Sequence, residues 1–271
     1  MPAAKIFCQK PEDMLKLSSE AGTGLPDIFQ FYGGEEMKVA VFHGSPRKGN
    51  TYTVTKLFLD ELEKCGELEL TEFYFPQDMP KFCVGCQMCL KGPREKCPHA
   101  DFVYPIYKAI MEADALVFAS PHFGASCMPG SMKTLFDHLS FMEMTVAPRR
   151  ACFQKKAFII TTGSGSKQNV KIMKRCLMNW GMNRVESFGI RMFTDKWLSV
   201  PQKRQMKLEK AIRRKARKFY YLEKKLPYPK TVMMYFINRF VIRKFMGEGN
   251  YPYDYWKGYG YFKKTPFRRV I

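Results

Sequence analysis

The sequence predicts an α/β domain, a five-stranded parallel sheet between two layers of helices, followed by a basic helical extension. Three observations carry this. A buried-strand pattern begins abruptly at MKVAVFHGSPRKGNT after a leader with no strong period. From there to about residue 200, short apolar runs alternate with amphipathic stretches of helical length. Beyond residue 200 the composition turns strongly basic.

Residues 1–36 contain the loop-like GTGLP and YGGEE and read as an N-terminal extension, with Met37 a natural start for the domain and an alternative start of translation. The domain spans 37–200. Its first strand is KVAVFH (38–43), its first helix NTYTVTKLFLDELEKC (50–65) and its second strand ELTEFYF (69–75). A cysteine loop (81–100) leads to helix FVYPIYKAIMEA (102–113), strand ALVFAS (115–120) and a helix around GSMKTLFDHLSFM (130–142). Strand KAFIITT (156–162), helix KQNVKIMKRCLMNW (167–180) and strand RVESFGI (184–190) complete the series. Each crossover must return over the sheet right-handed, which favours helices on both faces. The expected strand order is 2-1-3-4-5, a flavodoxin-like three-layer sandwich. Ligands in such sheets bind outside the carboxyl ends of the strands, at the switch point between strands 1 and 3. The loops after residues 43, 120 and 162 therefore matter most.

Residues 201–271 form the extension. The stretch 202–225 carries eleven Lys and Arg against two Glu, a net +9 of the chain's +20. Such charge suits an acidic partner, an anionic membrane surface or nucleic acid, or else only a solvated helix face. No nucleic-acid-binding module accompanies it, so specific nucleic-acid binding is not expected. The least polar late segment, TVMMYFINRFVIRKFM, has sixteen residues and is broken by Arg239, Arg243 and Lys244, too short and too charged to span a bilayer as a helix. The tail GNYPYDYWKGYGYFKKTPFRRV (248–269) reads as irregular and packed by its aromatics. With neither a signal-peptide pattern nor a membrane span, a cytoplasmic setting is expected, where cysteines bind metal or do redox chemistry rather than form structural disulfides.

Nine cysteines are present. Cys8, Cys65, Cys127, Cys152 and Cys176 are scattered, and most read as buried inert thiols. Cys83, Cys86, Cys89 and Cys97 stand together as C-x2-C-x2-C-x7-C, with Pro98 next. This is close to the compact runs that ligate [4Fe-4S] clusters. A structural zinc site and a metal-free thiol loop are the alternatives; three such closely spaced thiols suit zinc less well than paired C-x2-C knuckles. His99 could replace one ligand, or stand as an exposed loop histidine.

GSPRKGNT (44–51), between strand and helix, offers the Ser45 and Thr51 hydroxyls, backbone donors, a helix N-terminus and the cation Arg47, equipment that suits a phosphate. It matches neither the dinucleotide nor the Walker-type glycine pattern. Alternatively, Asn50 and Thr51 merely cap the helix. SPHFGASCMPGSMKTLFD (120–137) pairs a Pro-aromatic-Gly turn with a helix, as a planar ring would require, and TTGSGSK (161–167) adds hydroxyls and glycines.

Taken in order, GSPRKGNT, CVGCQMC with Cys97, and ASPHFGASCMPGSMKTLFD resemble the NADPH-dependent FMN reductase family, and within it the iron-sulfur flavoprotein branch. The resemblance covers about residues 37–200. It implies that Ser45, Arg47, Asn50 and Thr51 hold the FMN phosphate. Pro121, His122, Phe123 and Gly124 would line the isoalloxazine, with Thr162, Gly163 and Gly165 near its other edge. His122-Phe123 stands where the family has Tyr or Trp. DYW (254–256) is similar to a segment of relatives in this branch. The expected activity is an FMN-dependent oxidoreductase passing electrons from NAD(P)H, or from a reduced acidic carrier such as ferredoxin, to a quinone or other electron-poor small molecule, or through a cysteine-bound [4Fe-4S] cluster. The resemblance also implies a homo-oligomer. The alternative from another class is a non-catalytic flavodoxin-like carrier or redox sensor docked by its basic tail.

Overall fold

The computed structural model describes residues 36–92, 94–124, 128–222 and 227–267. The N-terminal extension before residue 36 therefore lies outside the described residues, as do Cys8 and Cys127. Five strands form one sheet: β1 Met37–His43, β2 Leu68–Tyr74, β3 Ala115–Ala119, β4 Lys156–Thr162 and β5 Arg184–Ile190. All neighbours pair in parallel in the order β2-β1-β3-β4-β5, the expected topology.

Side chains alternate between sheet faces along a strand, so each central strand feeds two cores. Phe42, Phe118 and Ile159 face one side; Val41, Val117 and Ile160 face the other. The first set packs under α3 (Ala100–Glu112), α4 (Gly130–His138) and α5 (Ser166–Asn179) through Ile106 and Ile110, Met132 and Leu135, and Met173 and Leu177. The second set packs under α1 (Asn50–Glu63) and α6 (Gln202–Tyr220), which contribute Val54, Phe58 and Leu62, and Ile212, Ala216 and Phe219. Phe58 stacks on Phe158 at 4.2 Å between ring centres and meets Phe219 at 5.8 Å. Burying each such ring contributes about 1.5–3 kcal/mol. β3 and β4 are buried along their whole length, which is why they read as continuous apolar runs rather than alternating ones.

α6 is the predicted basic helix, ending at Tyr220, and part of its charge is structural. Arg213 and Arg217 reach Glu61 of α1 at 3.1 and 3.2 Å. At its end the Lys156 ammonium donates to the Phe219 and Tyr220 carbonyls, each at 2.7 Å, a cation on the negative pole of the helix.

Two further helices follow, α7 Pro229–Phe245 and α8 Tyr251–Gly258. The tail is thus helical over residues 251–258 rather than irregular. Its Pro252 lies in the first turn, where a missing N–H costs nothing. Tyr235 of α7 and Trp256 of α8 stack at 5.0 Å in a third core with Met144, Phe153, Ile242 and Tyr261. The DYW segment is therefore a packing anchor, with Trp256 buried and Asp254 accepting from the Gly249 N–H at 3.1 Å. Among the described residues no helix is long and apolar enough to cross a membrane.

Candidate active site

The carboxyl ends of β1, β3, β4 and β5 open into a cavity of about 380 Å³. Its floor begins at Gly44, whose N–H donates to the Ala119 carbonyl at 2.8 Å and whose carbonyl accepts from Ser131 Oγ at 2.9 Å. A Cβ at Gly44 would lie 2.9 Å from Met132 Cε and 3.0 Å from its Cβ, so glycine lets the β1 loop lie against α4 without displacing Met132.

The loop then delivers Ser45 and Arg47 to the mouth and turns into α1. The residue preceding α1 is Gly49, and no side chain caps the helix. Asn50 and Thr51 do not cap it, contrary to the simpler expectation. Asn50 is tied across the site, its Nδ2 donating to the Thr194 carbonyl at 2.6 Å after β5, and its buried Oδ1 has no protein partner. Thr51 Oγ1 lies 2.7 Å from Thr162 Oγ1. The first turn of α1 thus lines the cavity mouth with no side chain capping its N–H groups, beside Arg47. That is the equipment an anion such as a phosphate monoester takes.

The β3 loop forms the opposite wall. Pro121 and His122 are held by the His122 N–H donating to the Thr162 carbonyl at 2.7 Å. Phe123 stands 71% exposed at the opening, and Gly124 has φ 62°, the left-handed turn that throws it outward. Residues 125–127 of this loop lie outside the described residues. The β4 loop passes behind His122. A Cβ at Gly163, whose φ is 121°, would lie 2.9 Å from His122 Cβ, and one at Gly165 would lie 1.9 Å from His122 Nε2.

Of the eleven residues expected at a flavin, the cavity wall brings together Ser45, Arg47, Asn50, Thr51, Pro121, His122, Phe123, Thr162 and Gly163. Gly124 and Gly165 are not part of it. Gly165 instead makes room for the His122 ring. The wall also includes residues that the sequence reading missed: His43, Tyr52, Gly130, Ser131, Met192, Thr194 and Asp195. Met192 to Asp195 follow β5, and the rule that ligands sit at strand carboxyl ends points to them once the fifth strand is counted.

His43 is the titratable group of this wall with the most defined environment. It is buried, stacks on Tyr74 at 4.4 Å and places Nε2 2.7 Å from Glu72. Burial lowers its pKa from the ordinary imidazole value, and the hydrogen bond and charge of Glu72 only partly oppose this. The Tyr74 hydroxyl donates to the same carboxylate at 3.2 Å and is pushed up to about 12 by burial and by Glu72.

The cysteine loop lies between β2 and α3. Cys83 and Cys86 are exposed, Cys89 and Cys97 half-buried, and all four are free thiols. Gly85 and Gln87 take φ 66° and 58°, so the run winds tightly before α2 (Met88–Lys91), which carries Cys89. Burial raises the Cys89 pKa, and the charges of Cys97, Cys83 and Cys86 raise it further, so the other three thiols lie within electrostatic range of Cys89. Among the described residues no three His, Cys, Asp or Glu side chains converge on one metal-ion position. The donor set of four thiols nonetheless has the chemistry of an iron-sulfur site. His99 is half-buried rather than an exposed loop residue, and its Nδ1 lies 3.0 Å from His138 Nε2, tying the loop's end to α4. α8 packs against α2, so the C-terminal tail braces the same loop.

Of the scattered thiols, Cys152 is buried, whereas Cys65 and Cys176 are half-buried, with pKa values raised by desolvation.

Residues 37–193, more than half the chain, match the family described as NADPH-dependent FMN reductase. The chain belongs to that family. Curated relatives are iron-sulfur flavoproteins. That of Archaeoglobus fulgidus is 32% identical over 108 residues, 40% of this chain and 51% of the relative. That of Methanocaldococcus jannaschii is 36% identical over 104 residues, 37% of this chain and 51% of the relative. The chain thus spans about half the length of these relatives. Among solved structures, an NAD(P)H:quinone oxidoreductase from Methanothermobacter marburgensis superposes with a TM-score of 0.55 at 16% identity, covering 69% of this chain and 99% of its own. At that identity the likeness shows the shared fold. The matched span of this flavin reductase family carries the whole cavity wall up to Met192, together with the cysteine loop.

Proposed function

We propose that the protein is an FMN-dependent oxidoreductase that takes electrons from NAD(P)H, or from a reduced acidic carrier, and passes them to a small acceptor such as a quinone. The observation that carries this reading is the uncapped α1 N-terminus, flanked by Ser45 and Arg47, at the mouth of a cavity whose far wall ends in the exposed ring of Phe123. One end suits a phosphate and the other a planar apolar group, and FMN has both.

In this reading Ser45, Arg47, Thr51 and the α1 amides hold the phosphate, and Asn50 Oδ1 accepts from the ligand. Pro121, His122 and Phe123 support the ring system, while Thr162 and Gly163 border its other edge. His43 is kept neutral by burial and, by donating from Nε2 to Glu72, spares the site a second cation beside Arg47. Bound FMN supplies two-electron chemistry and, with a [4Fe-4S] cluster on Cys83, Cys86, Cys89 and Cys97, a route to one-electron transfer. In this reading the nicotinamide and the acceptor use the opening beside Phe123 in turn.

Ping-pong kinetics follow. Parallel lines in double-reciprocal plots of initial rate against NAD(P)H at several quinone concentrations are expected, and intersecting lines would count against a shared opening. The exposed cations of α6, among them Lys203, Lys207, Lys210 and Arg214, favour an acidic carrier as alternative donor. A transfer rate that falls steeply with added salt would identify that donor.

A further inference from the structure

The strongest surface feature outside the cavity is α7. Its inner face is buried: Tyr235 and Ile242 belong to the third core, and Thr231 is buried with them. Its outer face is also apolar: Met233, Phe236, Ile237 and Phe240 are 53%, 45%, 46% and 59% exposed, and Phe245 at its end is 70% exposed. The spacing 233, 236, 237, 240 puts the first four on one helical stripe. Isolated exposed hydrophobic residues are ordinary, whereas a contiguous stripe marks a contact.

The charges around the stripe decide what that contact is. Lys230 stands exposed at one end, and Arg243 and Lys244 at the other. The Lys244 ammonium lies 5.3 Å from the centre of the Phe240 ring and 5.4 Å from that of Phe245. Arg239 is engaged elsewhere, on the Tyr235 hydroxyl and the Lys264 carbonyl. The helix carries no Asp or Glu. A second copy docking face to face would set these cations against their equivalents with no acid on the helix to pair them. An anionic lipid surface takes the cations at the headgroups and the apolar side chains at the acyl boundary.

We propose that α7 is an in-plane membrane-docking helix, seating Met233, Phe236, Ile237 and Phe240 in an anionic bilayer surface with Lys230, Arg243 and Lys244 at its headgroups. At seventeen residues with four cations it lies along the surface and does not cross it. Docking does not depend on the flavin assignment, so the two stand or fall separately.

The test is co-sedimentation of the full chain with vesicles of phosphatidylcholine alone or mixed with phosphatidylglycerol. Binding to the anionic vesicles is expected, weakened by salt and reduced at least about tenfold by the double variant Phe236→Ser/Phe240→Ser. Those two side chains are exposed, and an unchanged thermal unfolding curve checks that the variant is folded. Absence of binding to anionic vesicles at low salt overturns the proposal. So does binding that the double variant leaves unchanged, which would assign the attraction to other basic surface such as α6. A concentration-dependent dimer lost in the double variant, without vesicle binding, would make the stripe an interface between copies. Binding that appears only after removal of residues 1–35 would make that segment its occupant.

Discussion

At the cavity mouth Arg47 stands beside the uncapped end of α1; in the proposed reading both act on the FMN phosphate, and removing the cation leaves the amides in place. Arg47→Ala is therefore expected to weaken FMN binding about tenfold without abolishing it, read by fluorescence titration of the flavin-free protein. Unchanged affinity would mean that the phosphate lies elsewhere. His43 makes a different kind of prediction. Its folded-state pKa lies below the ordinary value of 6.5, so between the two pKa values the unfolded chain binds more protons. Stability should be steady above about pH 7 and fall as the pH drops through about 6.5 towards the folded-state value. In His43→Gln, which cannot titrate, that part of the acid sensitivity should disappear, as urea midpoints across this range would show. Ser45, Arg47 and Thr51 were legible in the sequence because hydroxyls and a cation between a strand and a helix have a direct chemical reading. His43, Thr194 and Asp195 were not, because their place in the wall depends on four strands ending side by side.

The elements follow the same division. β3 and β4 were visible because burial on both faces leaves an uninterrupted apolar run, and α1, α3, α4 and α5 were visible through their period. α7 escaped as an element because both of its faces are apolar, one covered by the third core and one exposed, so no helical period stands out. α8 escaped because its tyrosines, Pro252 and flanking glycines read as a loop, although proline suits a first turn. The charge of α6 was read as partner-seeking or as a solvated face, yet Glu61 of α1 takes up Arg213 and Arg217. Glu61 is nearly buried, so Glu61→Ala strips the acceptor from both guanidinium groups and should cost about 1–2 kcal/mol of stability. Chemical denaturation would measure it. A loss below a few tenths of a kcal/mol would mean that water satisfies both arginines.

For the whole molecule, the sheet order places the loops after β1, β3, β4 and β5 around one cavity, and the third core hangs the tail on the sandwich. Through Trp256 and the contact between α8 and α2, that tail also reaches the cysteine loop. The cysteine loop and a surface helix are thus joined through one continuous packing arrangement. The central claim is that the cavity holds FMN, and it is tested most directly by purifying the full chain without oxygen, recording its visible spectrum and quantifying flavin and iron. About one FMN per chain is expected, and about four irons that are lost when Cys83, Cys86, Cys89 and Cys97 are all replaced by serine while the flavin bands remain. A protein that comes out colourless, and takes up no FMN when it is supplied, would contradict the account.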